Sequence, residues 1–371
     1  MIKFLFWLSV AVPFYAYLGY PLLLLLLRAL WQRPVRREPF EPEVTLLIPA
    51  YNEAEHIAAK IRNSLELDYP PDKLEILVAC DGSSDETPRI ARSMADGRRV
   101  RVLDFPHNRG KISTLNDGVR QALGNIIVFS DATALLYPDS LRWIMTNFAD
   151  PEVGAVSGRY TVIRADEVGI GKSEDFYWKY ESFLKVRESE LDSMIGAHGH
   201  LHAIRRDLYP YPSPEIINDD YVIPVSVLAR GRRAVYEPRA VVYEEAREMT
   251  GFRRRIRIMA GNLQQIREIK GLLHPLQPLP LLFFVSHKVM RLLVPFALLG
   301  AIACNALLLS SPLYRALFWL QAGFYALALA GLFLPLRPRI LRLPYYFSMI
   351  NTAVFFGLYH ALTHRRRMAW K

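Results

Sequence analysis

The sequence has almost no cysteine and lacks the glycine-rich loops of the commonest nucleotide-binding folds. Its two cysteines among 371 residues, Cys80 and Cys304, lie in a predicted strand and a predicted apolar span. Two such thiols indicate neither a disulfide framework nor a zinc site. No complete G-x-x-x-x-G-K-[S/T] loop and no G-x-G-x-x-G loop occurs. These absences argue against P-loop NTPases and dinucleotide-binding domains.

Negative charge is the scarcer sign, with 36 Asp and Glu against 46 Lys and Arg and a formal net charge of +10. Much of the positive excess stands beside apolar stretches, at Arg33, Arg36 and Arg37, at 253–257, at Arg337, Arg339 and Arg342, and at 365–367. Aromatic residues do not interleave these clusters, as they would in many nucleic-acid-binding surfaces. We therefore predict contact with membrane lipids on the cytoplasmic face and no nucleic-acid partner.

Long apolar stretches occupy both ends of the chain. Residues 2–30 contain only Lys3 and Arg28 as charges, and about 20 apolar residues suffice to cross a bilayer. A signal peptide would have a shorter apolar core and a small-residue cleavage site, so we predict a retained transmembrane anchor over residues 1–32. The remaining predicted segments are basic and interfacial helices over 251–291, transmembrane segments over 292–363 and a basic tail over 364–371.

The orientation follows from the arginines behind the first anchor. They predict an integral protein of a bacterial-type inner or plasma membrane, with its soluble block in the cytoplasm. Three further spans would leave the basic tail outside, against the same tendency. The last apolar segment, about 344–363, also carries Ser348, Asn351 and His360. Whether that segment spans, re-enters or lies at the interface stays open.

The soluble block, residues 42–250, alternates strand and helix patterns, which predicts an α/β domain with a parallel sheet. Ligands bind beyond the carboxyl ends of such strands. Asn52 is predicted to cap the first helix. Polar loops follow the predicted strands at Ile48-Pro-Ala-Tyr-Asn-Glu53, Asp81-Gly-Ser-Ser-Asp85, Asn108-Arg-Gly-Lys111 and Asp131-Ala-Thr133. Each loop alone is an ordinary turn, but the ordered set suggests a site for phosphate and metal.

In that order these motifs resemble the family 2 glycosyltransferases of GT-A fold. With its terminal spans, the chain is most similar to the membrane-bound branch that contains cellulose, hyaluronan and poly-N-acetylglucosamine synthases. The resemblance covers nearly the whole chain. It implies a Rossmann-like, nucleotide-sugar-binding α/β domain in the cytoplasm, between N- and C-terminal transmembrane helices.

The resemblance also implies roles on the donor side. Ala50, Tyr51 and Glu53 would border the nucleotide, and Asp81 would accept from a uracil base. Lys111 would meet the diphosphate, while Asp131, followed by Ala132, would bind a divalent Mg or Mn ion. The family places a second aspartate where this chain has Thr133. One carboxylate therefore stands where two are usual, so the metal would depend on Asp131 and the donor phosphates.

On the acceptor side, Asn218-Asp219-Asp220 matches the motif whose last aspartate is the general base. Asp220 would be that base and Asp219 would lie beside the acceptor, although either could simply cap the following helix. In the turn at 196–202, His198 and Gly199 would contact the acceptor. A metal site on the histidines of this turn is disfavoured, because no acidic or cysteine partner lies at ligand spacing.

A basic segment replaces the family's Gln-x-x-Arg-Trp motif. Arg254 and Arg257 are three residues apart on one helical face, where they would clamp the donor diphosphate or bind anionic headgroups. The tryptophan of that motif is missing, which weakens the expectation of a stacking platform for the acceptor sugar.

The leading hypothesis is an inverting hexosyl- or N-acetylhexosaminyl-transferase that moves a sugar from a UDP donor to a growing polysaccharide or a lipid-linked glycan. One alternative is a non-processive enzyme that adds a single sugar to a lipid acceptor. Another is a non-catalytic nucleotide-binding subunit of a polysaccharide export complex with partner proteins. A transporter is disfavoured, because its ionisable residues should lie mid-span.

Overall fold

The structure is a computed structural model that describes residues 1–163, 171–245, 251–272, 277–334, 341 and 343–363. The strands are β1 (Val44–Ala50), β2 (Leu74–Asp81), β3 (Val100–Phe105), β4 (Ile126–Phe129), β5 (Leu135–Leu136), β6 (Val153–Ile163), β7 (His202–Arg205) and β8 (Arg233–Glu245). The helices are α1 (Ile2–Phe14), α2 (Tyr20–Leu30), α3 (Ile57–Leu65), α4 (Thr87–Ser93), α5 (Lys111–Gln121), α6 (Ser140–Asn147), α7 (Gly171–Leu191), α8 (Asp219–Val225), α9 (Gly251–Leu272), α10 (Pro278–Phe284), α11 (Met290–Ala306), α12 (Pro312–Phe333) and α13 (Leu343–Thr363).

The strands form one sheet in the order β3-β2-β1-β4-β7-β6-β8-β5. The first four in that order are parallel, and β1 and β2 are buried along their whole length, as parallel strands covered on both faces should be. This half agrees with the predicted parallel sheet. The other half is mixed, since β7 runs antiparallel to β4 and β6, and β5 runs antiparallel to β8.

Two hydrophobic cores lie on the two faces of the sheet. One of them contains Tyr20 and Leu24 from α2 and Phe283 and Phe284 from α10, packed with α5, α7 and α8. The domain-side ends of the N-terminal helix and of the α10 helix are therefore part of the α/β domain's own core.

Polar contacts join the same two helices to α7. Tyr20 OH donates to Glu188 Oε1 at 2.7 Å, and Nδ1 of His287 lies 2.7 Å from that oxygen. The other ring nitrogen of His287 lies 3.1 Å from Glu181 Oε2, and Arg291 pairs with Glu181 as well. The orientation of α7 is thus coupled to both apolar helices.

Three helices are long and apolar enough to cross a membrane: Ile2–Leu30, Pro278–Ala306 and Pro312–Phe333. The first two each contain a short π-helical turn, Tyr15–Gly19 and Val285–Val289, that leaves the helix continuous. The boundary expected at residue 291 therefore falls inside a helix that starts at Pro278. Within the described residues, α13 is not among the helices that meet these criteria, and the basic tail 364–371 lies outside them.

Candidate active site

The loops after β1 and β2 are joined by hydrogen bonds. Asn52 has a positive φ of 55° and its Oδ1 accepts from Ser84 N at 2.8 Å, while Asn52 N donates to Ser83 Oγ at 3.1 Å. The prediction that Asn52 caps the first helix is wrong, because α3 begins at Ile57 with His56 in the N-cap position. The asparagine instead connects the two loops. Ala50 is buried at the end of β1, and Tyr51 and Glu53 follow it at the rim, both partly exposed.

Asp81 organises the loop that leads into α5. Its carboxylate is completely buried and accepts from Arg109 N at 3.0 Å and from Gly110 N at 2.8 Å. The neighbouring Gly82 has φ +65°, and a Cβ there would lie 2.3 Å from Asn108 N, so only glycine fits. Both oxygens of Asp81 thus already hold backbone amides. Its contact with a donor base stays a prediction.

Lys111, the first residue of α5, contacts two aspartates from different loops. One is Asp131 in the metal motif (Asp131-Ala-Thr133), and the other is Asp219 in the acidic motif (Asn218-Asp219-Asp220). The Nζ of Lys111 lies 2.9 Å from Asp131 Oδ1 and 3.1 Å from Asp219 Oδ2. Burial acts to lower the pKa of Lys111, but the two carboxylates raise it above its ordinary value. Burial acts to raise the pKa of Asp131, but Lys111 and His200 hold it below the ordinary value. Both groups are therefore charged at neutral pH.

Thr133 contacts a carboxylate from a distant strand. Its hydroxyl donates to Glu244 Oε1 near the end of β8, and Tyr160 OH donates to Glu244 Oε2 at 3.0 Å. Ala132, between Asp131 and Thr133, is buried in the core. Sequence reasoning missed Glu244, although it follows the same pattern as the other site residues, an acidic side chain near the end of a strand.

A buried lysine lies beneath the Asp131 loop. Nζ of Lys60, on α3, donates to Ser130 Oγ at 2.7 Å and to the carbonyl of Ala134. Burial lowers the pKa of Lys60 to about 7, while Asp131 and Glu244 act in the opposite direction. Lys60 therefore fixes both ends of the loop that presents Asp131. Sequence reasoning missed this residue as well, because nothing local marks it as buried.

Asp220 lies in the first turn of α8, facing the turn after α7. Its backbone carbonyl accepts from Ala197 N at 2.7 Å, and a Cβ at Gly199 would lie 3.7 Å from Asp220 Oδ2. Burial and the charge of Asp219 raise the pKa of Asp220 above its ordinary value. An aspartate with a raised pKa is a stronger proton acceptor, as a general base requires.

Two further cations lie beside this turn. Lys185, on α7 and almost fully buried, donates from Nζ to the carbonyls of Gly196 and Ala197 at 2.6 and 3.1 Å. Lys288, from the α10–α11 helix, has its Nζ 3.7 Å from the position of a Cβ at Gly196. Both act to lower the pKa of Asp220. They are further residues near the candidate base that the sequence did not reveal.

The three histidines of the turn are mainly core residues. His198 is 3% exposed and contacts Trp178 and Tyr236 through its ring, while its backbone N donates to Ser157 Oγ. His200 stacks on Tyr160, and the fully buried His202 stacks on Phe129. The described residues contain no group of three or more His, Cys, Asp or Glu that could hold a metal ion. The acceptor contact expected of His198 and Gly199 stays a prediction, and the side chain of His198 is buried.

Helix α9 packs against the acidic motif. Asn218 Nδ2 donates to Asn262 Oδ1 at 3.1 Å and to the Ile258 carbonyl at 3.4 Å. A Cβ at Gly261 would lie 2.4 Å from Asn218 Oδ1, so any larger residue there would displace the Asn218 amide from these contacts. Arg257 is partly exposed on the same helix, one residue before Ile258. The side chain of Arg254 lies outside the described residues, so the expected pairing of the two arginines stays a prediction.

Comparison with known proteins identifies the domain. Residues 45–210 match the family described as "Glycosyl transferase family 2". The chain carries a family 2 glycosyltransferase domain. This match confirms the resemblance inferred from the motifs, and the mixed α/β sheet belongs to the GT-A fold of these glycosyltransferases.

The glycosyltransferase domain has relatives among polysaccharide synthases. It is 27% identical over 225 residues to poly-beta-1,6-N-acetyl-D-glucosamine synthase of Staphylococcus aureus, an alignment that covers 59% of this chain and 54% of the synthase. The Staphylococcus epidermidis synthase is 25% identical over the same length. The chain thus spans about half the length of the curated relatives it matches.

A solved structure matches this chain from end to end. It is a mannosyltransferase from Pyrobaculum calidifontis in complex with GDP-Man and Mn2+, with a TM-score of 0.75 and 27% identity. The alignment covers 98% of this chain and 100% of that one. The likeness therefore includes the apolar helices as well as the glycosyltransferase domain.

Proposed function

We propose that this chain is a membrane-embedded, inverting glycosyltransferase that moves a sugar from a nucleoside diphosphate donor to a growing polysaccharide or a lipid-linked glycan. The observation that carries the proposal is the pair of contacts made by Lys111. One is with Asp131 in the metal motif and the other with Asp219, the neighbour of Asp220. The groups proposed for leaving-group stabilisation and for proton removal therefore meet at one point.

Lys111 is proposed to bind the donor diphosphate. It is the first residue of α5, where backbone N–H groups and the helix dipole favour an anion. Asp81 supports this role, because it fixes the backbone of Arg109 and Gly110 directly before the lysine. Arg254 and Arg257 on α9 are proposed to approach the same diphosphate.

The residues of the site fit a divalent cation held largely by the donor. Asp131 offers the hard oxygen ligand that Mg or Mn prefers, and the ammonium of Lys111 already lies between two carboxylates. When bound, such an ion would neutralise charge on the departing diphosphate. The mannosyltransferase relative is in complex with Mn2+, which favours manganese as the first ion to test.

Asp220 is proposed to be the general base. It takes the proton of an acceptor hydroxyl, and that oxygen forms a bond to the anomeric carbon on the face opposite the leaving group. The bond from this carbon to the diphosphate breaks at the same time, and its electron pair stays on the diphosphate. The anomeric configuration therefore inverts. No covalent intermediate on the protein is needed.

Two donor classes compete. The sequence motifs favour a UDP sugar, as in the resemblance to polysaccharide synthases. The end-to-end relative is a mannosyltransferase in complex with GDP-Man, which supports GDP-mannose as a second candidate. For either donor, the length of the product separates transfer of a single sugar to a lipid acceptor from extension of a polymer.

The membrane arrangement is also proposed. The apolar helices of both ends pack into the domain. This packing places the domain next to the membrane, where a lipid-linked acceptor would be bound. The basic residues after the first helix favour a cytoplasmic domain. Partner proteins of an export complex are compatible with this arrangement.

A donor panel on the purified full chain tests the proposal. UDP-glucose, UDP-N-acetylglucosamine and GDP-mannose would each be incubated with Mn2+ or Mg2+ and with membrane lipid extract, and released nucleotide and product length would be measured. We expect turnover with one donor class, a metal requirement and one anomer in the product. Tight nucleotide binding without hydrolysis or transfer for any donor would instead favour the non-catalytic subunit.

A further inference from the structure

A cavity of about 260 Å³ lies away from the acidic site, at the junction of the two terminal segments. Arg33, just after α2, lines it together with Arg232 and Arg233 at the start of β8. Gln277 and Pro278, where the second apolar helix begins, complete the wall. Neither the motifs nor the proposed reaction assign a role to this cavity.

The cavity is richer in positive than in negative charge. Asp192 is its one lining carboxylate, and it pairs with Arg33 at 3.0 Å. Arg232 and Arg233 make no ion pair within 4 Å with any carboxylate that the structure describes. Arg233 is only 2% exposed, and its guanidinium donates to the carbonyls of Asp192, Arg33 and Ser189. The carboxylates of Asp192, Asp150 and Glu152 also act on Arg233 from a distance, but the lining itself carries three guanidinium groups and one carboxylate, so the cavity favours an anion.

Arg232 has donors available for such an anion. Among the described residues it makes a single side-chain hydrogen bond, from NH1 to the carbonyl of Pro151 at 2.6 Å. A guanidinium carries five N–H donors in a planar fork that suits phosphate. Gln277 adds an acceptor, because its Oε1 is buried and receives no hydrogen bond from a described residue, while its Nε2 donates to the Leu228 carbonyl. The wall thus suits a phosphate that carries a nearby hydroxyl or ammonium.

The surroundings of the cavity are apolar and exposed. Leu26 and Leu30 of α2 are 59% and 77% exposed, and Trp31, two residues before Arg33, is 60% exposed. The helix Ile2–Leu30 ends three residues before Arg33, and the helix Pro278–Ala306 begins in the cavity wall. Tryptophan and arginine are typical of the level where a helix leaves the bilayer core. The cavity therefore lies at the domain-side ends of both apolar helices, beside exposed apolar side chains that suit a membrane surface.

We propose that this cavity binds the phosphate of an anionic phospholipid headgroup, with Arg232 and Arg233 as its cationic ligands and Gln277 as acceptor for a headgroup hydroxyl. A bound lipid would connect the segment after α2, which contains Arg33, to the start of the second apolar helix at Pro278. The proposal depends on the membrane insertion of the two helices and not on the glycosyl transfer.

Native mass spectrometry of the detergent-solubilised full chain tests the proposal. The protein would be titrated with phosphatidylglycerol and, separately, with zwitterionic phosphatidylcholine. We expect preferential retention of phosphatidylglycerol, and about fivefold weaker retention in Arg232→Gln, the loss expected for one arginine near a lipid surface. Arg230→Gln is the matched control. Arg230 is exposed and donates to the Asp207 carbonyl in the same way, but it does not line the cavity.

Equal retention of phosphatidylglycerol by wild type and Arg232→Gln would overturn the proposal, as would an equal loss in both variants. A third arm adds excess inorganic phosphate. If phosphate displaces phosphatidylglycerol and protects the wild type against thermal unfolding just as well, the lipid source is wrong and the cavity binds a soluble phosphate. If phosphate has no such effect, the lipid source is supported.

Discussion

The ammonium group of Lys111 lies 2.9 Å from the carboxylate of Asp131, the residue proposed to bind the metal ion. Its second contact, 3.1 Å to Asp219, extends this charge pairing to the residue before the proposed base. In the proposed reaction, donor binding would redistribute this existing set of charges. The diphosphate would compete for Lys111, and a metal ion would compete for Asp131.

Lys111→Met separates these two competitions. Without its internal cation, Asp131 should bind Mn2+ more tightly in the donor-free protein, whereas nucleoside diphosphate binding should weaken about tenfold because a charged hydrogen bond is lost. Electron paramagnetic resonance of free Mn2+ and calorimetry with nucleotide measure the two effects. Lys73→Met is the control, since that lysine lies 3.9 Å from Glu41 on the surface. Unchanged Mn2+ binding in Lys111→Met would contradict the proposal that Lys111 and the metal ion compete for Asp131.

Thr133→Asp tests whether the metal motif lacks a carboxylate. The position already contacts Glu244, so a second carboxylate should lower the free energy of unfolding by about 2 kcal/mol through like-charge repulsion. Adding Glu244→Gln should recover most of that loss, because the repulsion is then removed. Chemical denaturation of the single and double variants measures it. If Thr133→Asp instead bound Mn2+ more tightly with no loss of stability, the site would accept a second carboxylate at position 133 without repulsion from Glu244.

The contact between Thr133 and Glu244 illustrates what the sequence could and could not predict. The four loops after β1 to β4 were predictable, because the carboxyl ends of parallel strands share one edge of a sheet and each loop is polar. Glu244 comes from β8, whose position depends on the antiparallel entry of β7 between β4 and β6. That order is a property of the whole fold and has no local signal. The burial of Lys60 and His198 went unpredicted for the same reason.

The pH dependence of turnover should follow the ionisation of the Asp220 carboxyl group. Because burial and Asp219 raise its pKa, the acid limb of kcat/KM should lie above the ordinary aspartate pKa of about 3.9. Asp219→Asn removes a negative neighbour, which makes deprotonation of Asp220 easier and moves the limb to lower pH. Asp219→Glu keeps the charge and should leave the limb in place. A limb that does not move in Asp219→Asn would mean that another group controls it.

Acid stability should depend on His202. Burial lowers its pKa to about 4, even though Asp219 acts to raise it. The unfolded chain therefore takes up this proton first, and stability falls as the pH drops from about 6.5 towards the folded value. The loss amounts to at most about 3 kcal/mol. His202→Phe keeps a ring against Phe129 and removes the proton, so its unfolding free energy should fall less over this range. An identical decline in both proteins would exclude His202 as the cause.

The proposed base is tested most directly by Asp220→Asn, assayed for sugar transfer and for donor binding in parallel. The side chain keeps its size and loses its capacity to accept a proton at neutral pH. Loss of a general base typically reduces the rate by about 10²–10⁴-fold, so transfer should fall by that factor while calorimetry gives an unchanged affinity for donor and Mn2+. Turnover near the wild-type rate, with donor binding intact, would contradict the account.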